Sequence, residues 1–208
     1  MRIRLPALLL AVPFVLAQTA FAQERPGPGR FELGAFPVGG IFFTNGSSGQ
    51  EPDFGNFALG GTVTYRVNRW VGVEGEFGNA IGVSQNMRLG NVESPVEQHS
   101  PCMYAYSGNF VVTPLGPGAS IVPYLTAGAG GITMLGTDEV ADLGITNNTT
   151  FLTGNAGGGT KWYLNDRWGV RADYRLVVVD KKAGAPAFFG RDSVRYGHRV
   201  YGGLLFSY

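Results

Sequence analysis

A single cysteine, Cys102, stands in this chain of 208 residues, so no intramolecular disulfide can staple the fold. Histidine is almost as scarce, with only His99 and His198. His99 and Cys102 together supply at most half of a zinc site, so neither a metal centre nor a cofactor pocket is expected from them. Charge of one sign is also missing. The formal net charge is +1 and Lys/Arg clusters are absent, which leaves no electrostatic footprint for nucleic acid. Long apolar runs are lacking too, because the longest covers residues 5–16 and is interrupted by Pro6 and Pro13. A spanning helix needs about 20 apolar residues. If this chain crosses a membrane, it must cross as a closed barrel.

The short apolar run has the setting of an export signal. Arg2 and Arg4 precede it, and Ala20, Phe21 and Ala22 form an A-x-A site before Gln23. Residues 1–22 are therefore expected to be a signal peptide and residues 23–208 a single mature domain. No cysteine follows the small residues, so a lipid-anchored lipoprotein is not expected.

What the chain has in abundance is glycine, 33 residues without a Gly-X-Y period and interleaved with aromatics, a composition that suits strands better than long helices. Period-2 alternation divides the mature chain into eight segments, at 31–43, 57–67, 70–81, 103–113, 121–134, 151–164, 168–179 and 195–208. Connections alternate between short (68–69, 114–120, 165–167) and long (44–56, 82–102, 135–150, 180–194). That asymmetry is the pattern of an all-β, closed antiparallel up-and-down transmembrane barrel, with both chain ends on the short-turn, periplasmic side. The connection 82–102 is long enough to hide further strand structure, which leaves ten strands as an alternative to eight.

Alternation also sorts faces. In segment 168–179, Val170, Ala172, Tyr174, Leu176 and Val178 share one face and Arg171, Asp173 and Arg175 the other. In segment 70–81, Val71, Val73 and Phe77 oppose Glu74 and Glu76, while Arg66, Lys161 and Arg199 take the matching inward positions of their strands. An arginine facing lipid at the bilayer midplane costs about 2–4 kcal/mol, so the charged faces are expected inside. An eight-stranded barrel is just wide enough for side chains to fill it, and these residues are expected to meet as an ionic plug. A catalytic carboxylate site in a soluble barrel is the competing assignment for Glu74, Glu76, Asp173 and Arg171. Tyr65, Trp70, Trp162, Tyr163 and Trp168 lie near the short turns, where an aromatic belt would meet the periplasmic interface. The stretch 61–77 also repeats at 159–174, aligned on a shared Gly-Thr start and a shared Trp with a one-residue difference after that Trp, which predicts two similar hairpins.

The closing residues RVYGGLLFSY place Val200, Leu204, Phe206 and terminal Tyr208 on one alternating face. With PYLTAGAGG (123–131) and GGGTKWYLNDRWGVRADYRL (157–176), this ending resembles the OmpA-like and OmpX-like outer-membrane β-barrel domain family over nearly all of the mature chain. The resemblance implies a Gram-negative outer-membrane location among phospholipid and lipopolysaccharide. It also implies insertion by the barrel assembly machinery, which would read Val200, Leu204, Phe206 and Tyr208 as its signal and pair the last strand with the first. That family is functionally mixed. A non-enzymatic structural or surface-interaction role through the long loops is the leading expectation, with the extracellular ligand unknown. A narrow channel for ions or small solutes is the alternative. A periplasmic lipid-binding barrel would invert the faces. A lipid hydrolase lacks support at His198, which is followed by Arg199 and Val200 instead of a His-x-Ser pairing.

Overall fold

The computed structural model describes residues 30–44, 56–87, 96–115, 119–143, 146–185, 189 and 193–208; the expected signal peptide lies outside them. Among the described residues the strands are β1 (Phe31–Phe43), β2 (Asn56–Arg66), β3 (Val71–Gly82), β4 (Ser84–Met87), β5 (Val96–His99), β6 (Met103–Val112), β7 (Ile121–Met134), β8 (Thr149–Tyr163), β9 (Trp168–Val179) and β10 (Arg195–Ser207). Eight of them close an antiparallel barrel in the order β1-β10-β9-β8-β7-β6-β3-β2. The alternation reading gave these eight to within two residues at each end. The long connection after β3 does hold strand structure, but β4 and β5 pair only with each other, as a hairpin beyond the barrel. Another long connection carries a short 3-10 helix, Asp138–Leu143.

Two of the short turns are built alike. Asn68 Oδ1 accepts hydrogen bonds from the amides of Trp70 (2.8 Å) and Val71 (2.9 Å), and Asn165 Oδ1 from those of Arg167 (2.9 Å) and Trp168 (2.8 Å). An Asn side chain that imitates the backbone two residues on is what makes such a turn tight. This corrects the phase of the repeat before the shared Trp. The equivalent positions are Asn68 and Asn165, hence Glu74 and Arg171, since Thr64 pairs with Glu74 where Lys161 pairs with Arg171. Matching the Gly-Thr starts sets buried Thr62 against exposed Thr160, a one-residue slip that exchanges the faces.

Closure joins the last strand to the first. The amide of Phe31 donates to the carbonyl of Tyr208 (3.0 Å) and that of Tyr208 to Phe31 (2.8 Å), and β1 pairs with β10 up to Phe43↔Gly197. On its other side β1 pairs with β2 only from Phe31↔Tyr65 to Phe36↔Gly60, and the pairing stops at Pro37. Proline has no amide hydrogen to give to a ladder. The same point carries a register shift against β10, between Ala35 and Val38.

The interior is divided into two levels. Toward the long loops it is apolar, with Phe36, Ile41, Phe43, Met103, Met134 and Phe151 fully buried. Phe189, from the connection before β10, packs edge-on against Phe43 at 4.9 Å, and the Arg195 guanidinium lies 5.4 Å from its ring. Toward the short turns the lining is charged.

Candidate functional site: the charged lumen

Every second residue of β3 and β9 points inward, which brings Glu74, Glu76, Arg171, Asp173 and Arg175 into the interior, all buried. Arg171 pairs with Glu74 (Nη1 to Oε2, 2.6 Å) and Asp173 (Nη2 to Oδ2, 2.8 Å). Arg175 reaches Glu74 (2.7 Å), Glu76 (2.9 Å) and Asp173 (2.9 Å). Arg199 of β10 donates from Nη2 to Glu76 Oε2 at 2.8 Å. Three arginines face three carboxylates, so the cluster is neutral, as buried charge must nearly be. Room for it comes partly from the neighbouring strand β8. At Gly157, which pairs with Arg175, a Cβ would lie 2.1 Å from the carbonyl of Tyr174, so only glycine lets the strands approach this closely.

Neutral donors and acceptors complete the network. Tyr124 accepts from Arg171 Nε (2.7 Å) and donates to Asp173, and Thr64 donates to Glu74 (3.0 Å). Asn155 links Arg175 (3.4 Å) to Asn109 (2.9 Å). Nearer the short turns a second group surrounds Glu32, which contacts Lys161, accepts from the Tyr163 hydroxyl (2.6 Å) and lies 3.4 Å from Arg66. Together these side chains bridge the lumen from β9 to β3.

All eight charged residues expected in the lumen, Arg66, Glu74, Glu76, Lys161, Arg171, Asp173, Arg175 and Arg199, lie inside and within these two groups. Sequence reasoning missed Glu32 and Tyr124. The signal for Glu32 was present, since it sits between outward Phe31 and Leu33 as Glu74 sits between Val73 and Gly75. Tyr163 requires a correction. It was grouped with the aromatic belt, yet it is 7% exposed and bonded to Glu32, while its neighbour Trp162 is 53% exposed. Adjacent residues of a strand face opposite sides, so the two could not share one belt.

Tyr65, Trp70, Trp162 and Trp168 do lie on the outer surface near the short turns, with the Arg69 guanidinium 4.8 Å from the Trp70 ring. Val200, Leu204 and Tyr208 are exposed on the outer face of β10 and its end, and Phe206 packs against Trp168 with ring centroids 4.9 Å apart. His198 shares a 2.7 Å hydrogen bond with the Tyr174 hydroxyl on the outer face, and His99 one of 3.2 Å with Ser84 in the β4–β5 hairpin. Neither histidine joins the carboxylate cluster.

A cylinder with an even number of antiparallel strands, apolar outside and ionic within, defines a transmembrane β-barrel. The chain belongs to the family described as outer membrane protein beta-barrel domain, whose model matches residues 7–200. Solved structures repeat the architecture. Neisserial surface protein A matches with a TM-score of 0.58 at 13% identity, covering 88% of this chain and 100% of that one. OprG of Pseudomonas aeruginosa gives 0.53 at 14% identity, covering 89% and 98%. The N-terminal barrel domain of OprF from the same organism gives 0.52 at 16%, covering 88% and 100%. These likenesses establish the fold. A comparison with curated proteins returned no match.

Proposed function

We propose that this is a non-enzymatic outer-membrane protein whose lumen is a structural plug and whose work is done by the loops at the long-connection end. The observation that carries the reading is the neutral Arg171/Arg175/Arg199 and Glu74/Glu76/Asp173 cluster, buried and mutually bonded across the interior. An arrangement of this kind braces the wall and leaves no aqueous path. Residues 1–22 direct export and are removed. The long loops then stand outside the cell, the Trp70 and Trp168 end meets the periplasmic interface, and the outer wall contacts phospholipid and lipopolysaccharide. Val200, Leu204, Phe206 and Tyr208 serve as the signal read by the barrel assembly machinery. Loops on a rigid scaffold are where binding is normally carried, and the β4–β5 hairpin gives one of them a strand-paired projection beyond the barrel.

Two measurements test this. Refolded mature protein, shown to be folded by the mobility difference between unheated and boiled samples, is placed in a planar bilayer. No single-channel steps are expected, and steady steps would replace the plug with a narrow channel. Cells displaying the protein are then compared with cells displaying a version in which residues 84–99 are replaced by a short turn, on immobilised extracellular-matrix proteins and glycans. Retention should fall with the hairpin removed, and equal retention on every surface refutes its binding role.

A further inference from the structure

We propose that the Tyr174–His198 pair on the outer wall is a lipid site, which holds the hydroxyacyl linkage of a lipopolysaccharide molecule in the leaflet on the long-loop side. The site rests on the reading that this wall faces lipid with the long loops outside the cell, and it is independent of the plug and of the β4–β5 hairpin.

Tyr174 and His198 share their 2.7 Å hydrogen bond at outward positions of adjacent strands, with the two rings 28° from parallel. Val200 pairs with Tyr174, and Leu176 and Phe42 pair with His198 on either side, so the bond is framed by exposed apolar side chains. Such a wall selects hydrocarbon, where a leftover donor or acceptor has no water to turn to. This pair leaves one of each. If the Tyr174 hydroxyl donates to Nδ1, Nε2–H remains as a donor and the phenolic oxygen as an acceptor. If Nδ1–H donates instead, the phenolic hydrogen remains and Nε2 accepts. In either tautomer the site offers a donor and an acceptor side by side.

Depth narrows the partner. Tyr174 lies six residues along β9 from Trp168 at the periplasmic belt, and His198 lies eight along β10 from Phe206. At about 3.3 Å per residue and a strand tilt of about 40°, the pair stands about 15–20 Å above the belt, within an apolar band about 25 Å tall. It therefore faces the leaflet on the long-loop side, beneath the headgroups and level with the linkages that join acyl chains to them. At that depth the glycerol esters of phospholipids offer acceptors only. The hydroxyacyl chains of lipopolysaccharide carry a hydroxyl close to an amide or ester carbonyl, which matches a donor and an acceptor together. Space for the chain itself lies on the same wall. One outward position nearer the short turns, Ala172 pairs with Gly202, and a Cβ at Gly202 would meet nothing within 4 Å.

The test uses the mature barrel in phosphatidylcholine nanodiscs, alone, with lipid A that carries hydroxyacyl chains, or with phosphatidic acid as a lipid of like charge. Folding is scored by the mobility difference between unheated and boiled samples. His99 and His198 are the only histidines, so imidazole nitrogen resonances report the site against an internal control. Lipid A should move the His198 resonance and leave that of His99 in place, and phosphatidic acid should move neither. Native mass spectrometry then counts the lipid A retained, which should fall about fivefold in His198→Phe, as the loss of about one hydrogen bond implies. Gly202→Leu fills the space of the chain without touching the pair, and should also lower retention. A His198 resonance that ignores lipid A or moves equally with phosphatidic acid overturns the site, as does unchanged retention in His198→Phe. A barrel that stays out of the nanodiscs overturns the membrane reading itself, whereas one that inserts and ignores lipid A overturns the site alone.

Discussion

Replacing Arg171 by leucine should cost about 3–5 kcal/mol, because it removes one partner of a buried ionic group and leaves the others uncompensated. In the native barrel Arg171 is 2% exposed and serves Glu74 at 2.6 Å, Asp173 at 2.8 Å and the Tyr124 hydroxyl at 2.7 Å. Without it Glu74 keeps Arg175 (2.7 Å) and Thr64 (3.0 Å), Asp173 keeps Arg175 and Tyr124, and the cluster passes from neutral to one excess negative charge. Against a total stability of about 5–15 kcal/mol the loss is severe. The double variant Glu74→Leu/Arg171→Leu restores the balance, so it should be no less stable than Arg171→Leu alone, with a coupling of up to about 3 kcal/mol. Urea titration of the native protein, both single variants and the double variant in lipid vesicles measures this, with the folded fraction read from the unheated gel band. A single-variant cost below about 1 kcal/mol, or costs that add to within about 0.5 kcal/mol, would refute the description of these residues as one coupled network.

The same titration checks the remaining predictions. Gly75→Ala and Gly108→Ala place a methyl group in open space and should be neutral or stabilising by up to about 1 kcal/mol, whereas Gly130→Ala puts a Cβ 1.9 Å from the Tyr106 carbonyl and should cost about 1–3 kcal/mol. Tyr163→Phe, which loses the 2.6 Å bond to Glu32, should cost about 1.5–3 kcal/mol, while Trp162→Phe on the outer surface should stay within about 0.5 kcal/mol. Asn68→Ala and Asn165→Ala should each lower stability by about 1 kcal/mol, and by similar amounts, since the two turns hold the same pair of amide bonds.

Strand positions were legible because alternation in this chain is strict and the turns are marked by Asn, Pro and Gly. The inward charges of β9 were legible for the same reason, since Arg171, Asp173 and Arg175 occupy successive inward positions. What alternation does not encode is who meets whom across the lumen. Glu32 belongs to the first strand and Lys161 to the eighth, and only closure of the cylinder brings them into contact. Tyr163 was misplaced when nearness to a turn was allowed to outweigh the face it occupies. The offset of the repeat arose similarly, because a shared Gly-Thr pair is a weaker constraint than the hydrogen-bonded turn. The β4–β5 hairpin went unassigned because each strand is only four residues, too short for a period to show. Nor was the interrupted seam read from Pro37, which by itself marks a bulge or an edge without saying which neighbour is lost.

Pro37 also decides how the chain is linked around the ring. The first strand has six paired positions with its sequence neighbour β2 and ten with β10, the strand most distant from it in the chain. When the wall parts at its shortest ladder, β1 stays behind with β10, and the unrolled sheet runs from β2 around to β1. That order is a circular permutation of the chain. A gene cut between β1 and β2, with the old ends joined by a linker between Tyr208 and Phe31, would encode the barrel with every long ladder intact and its new termini where the native pairing is already thin.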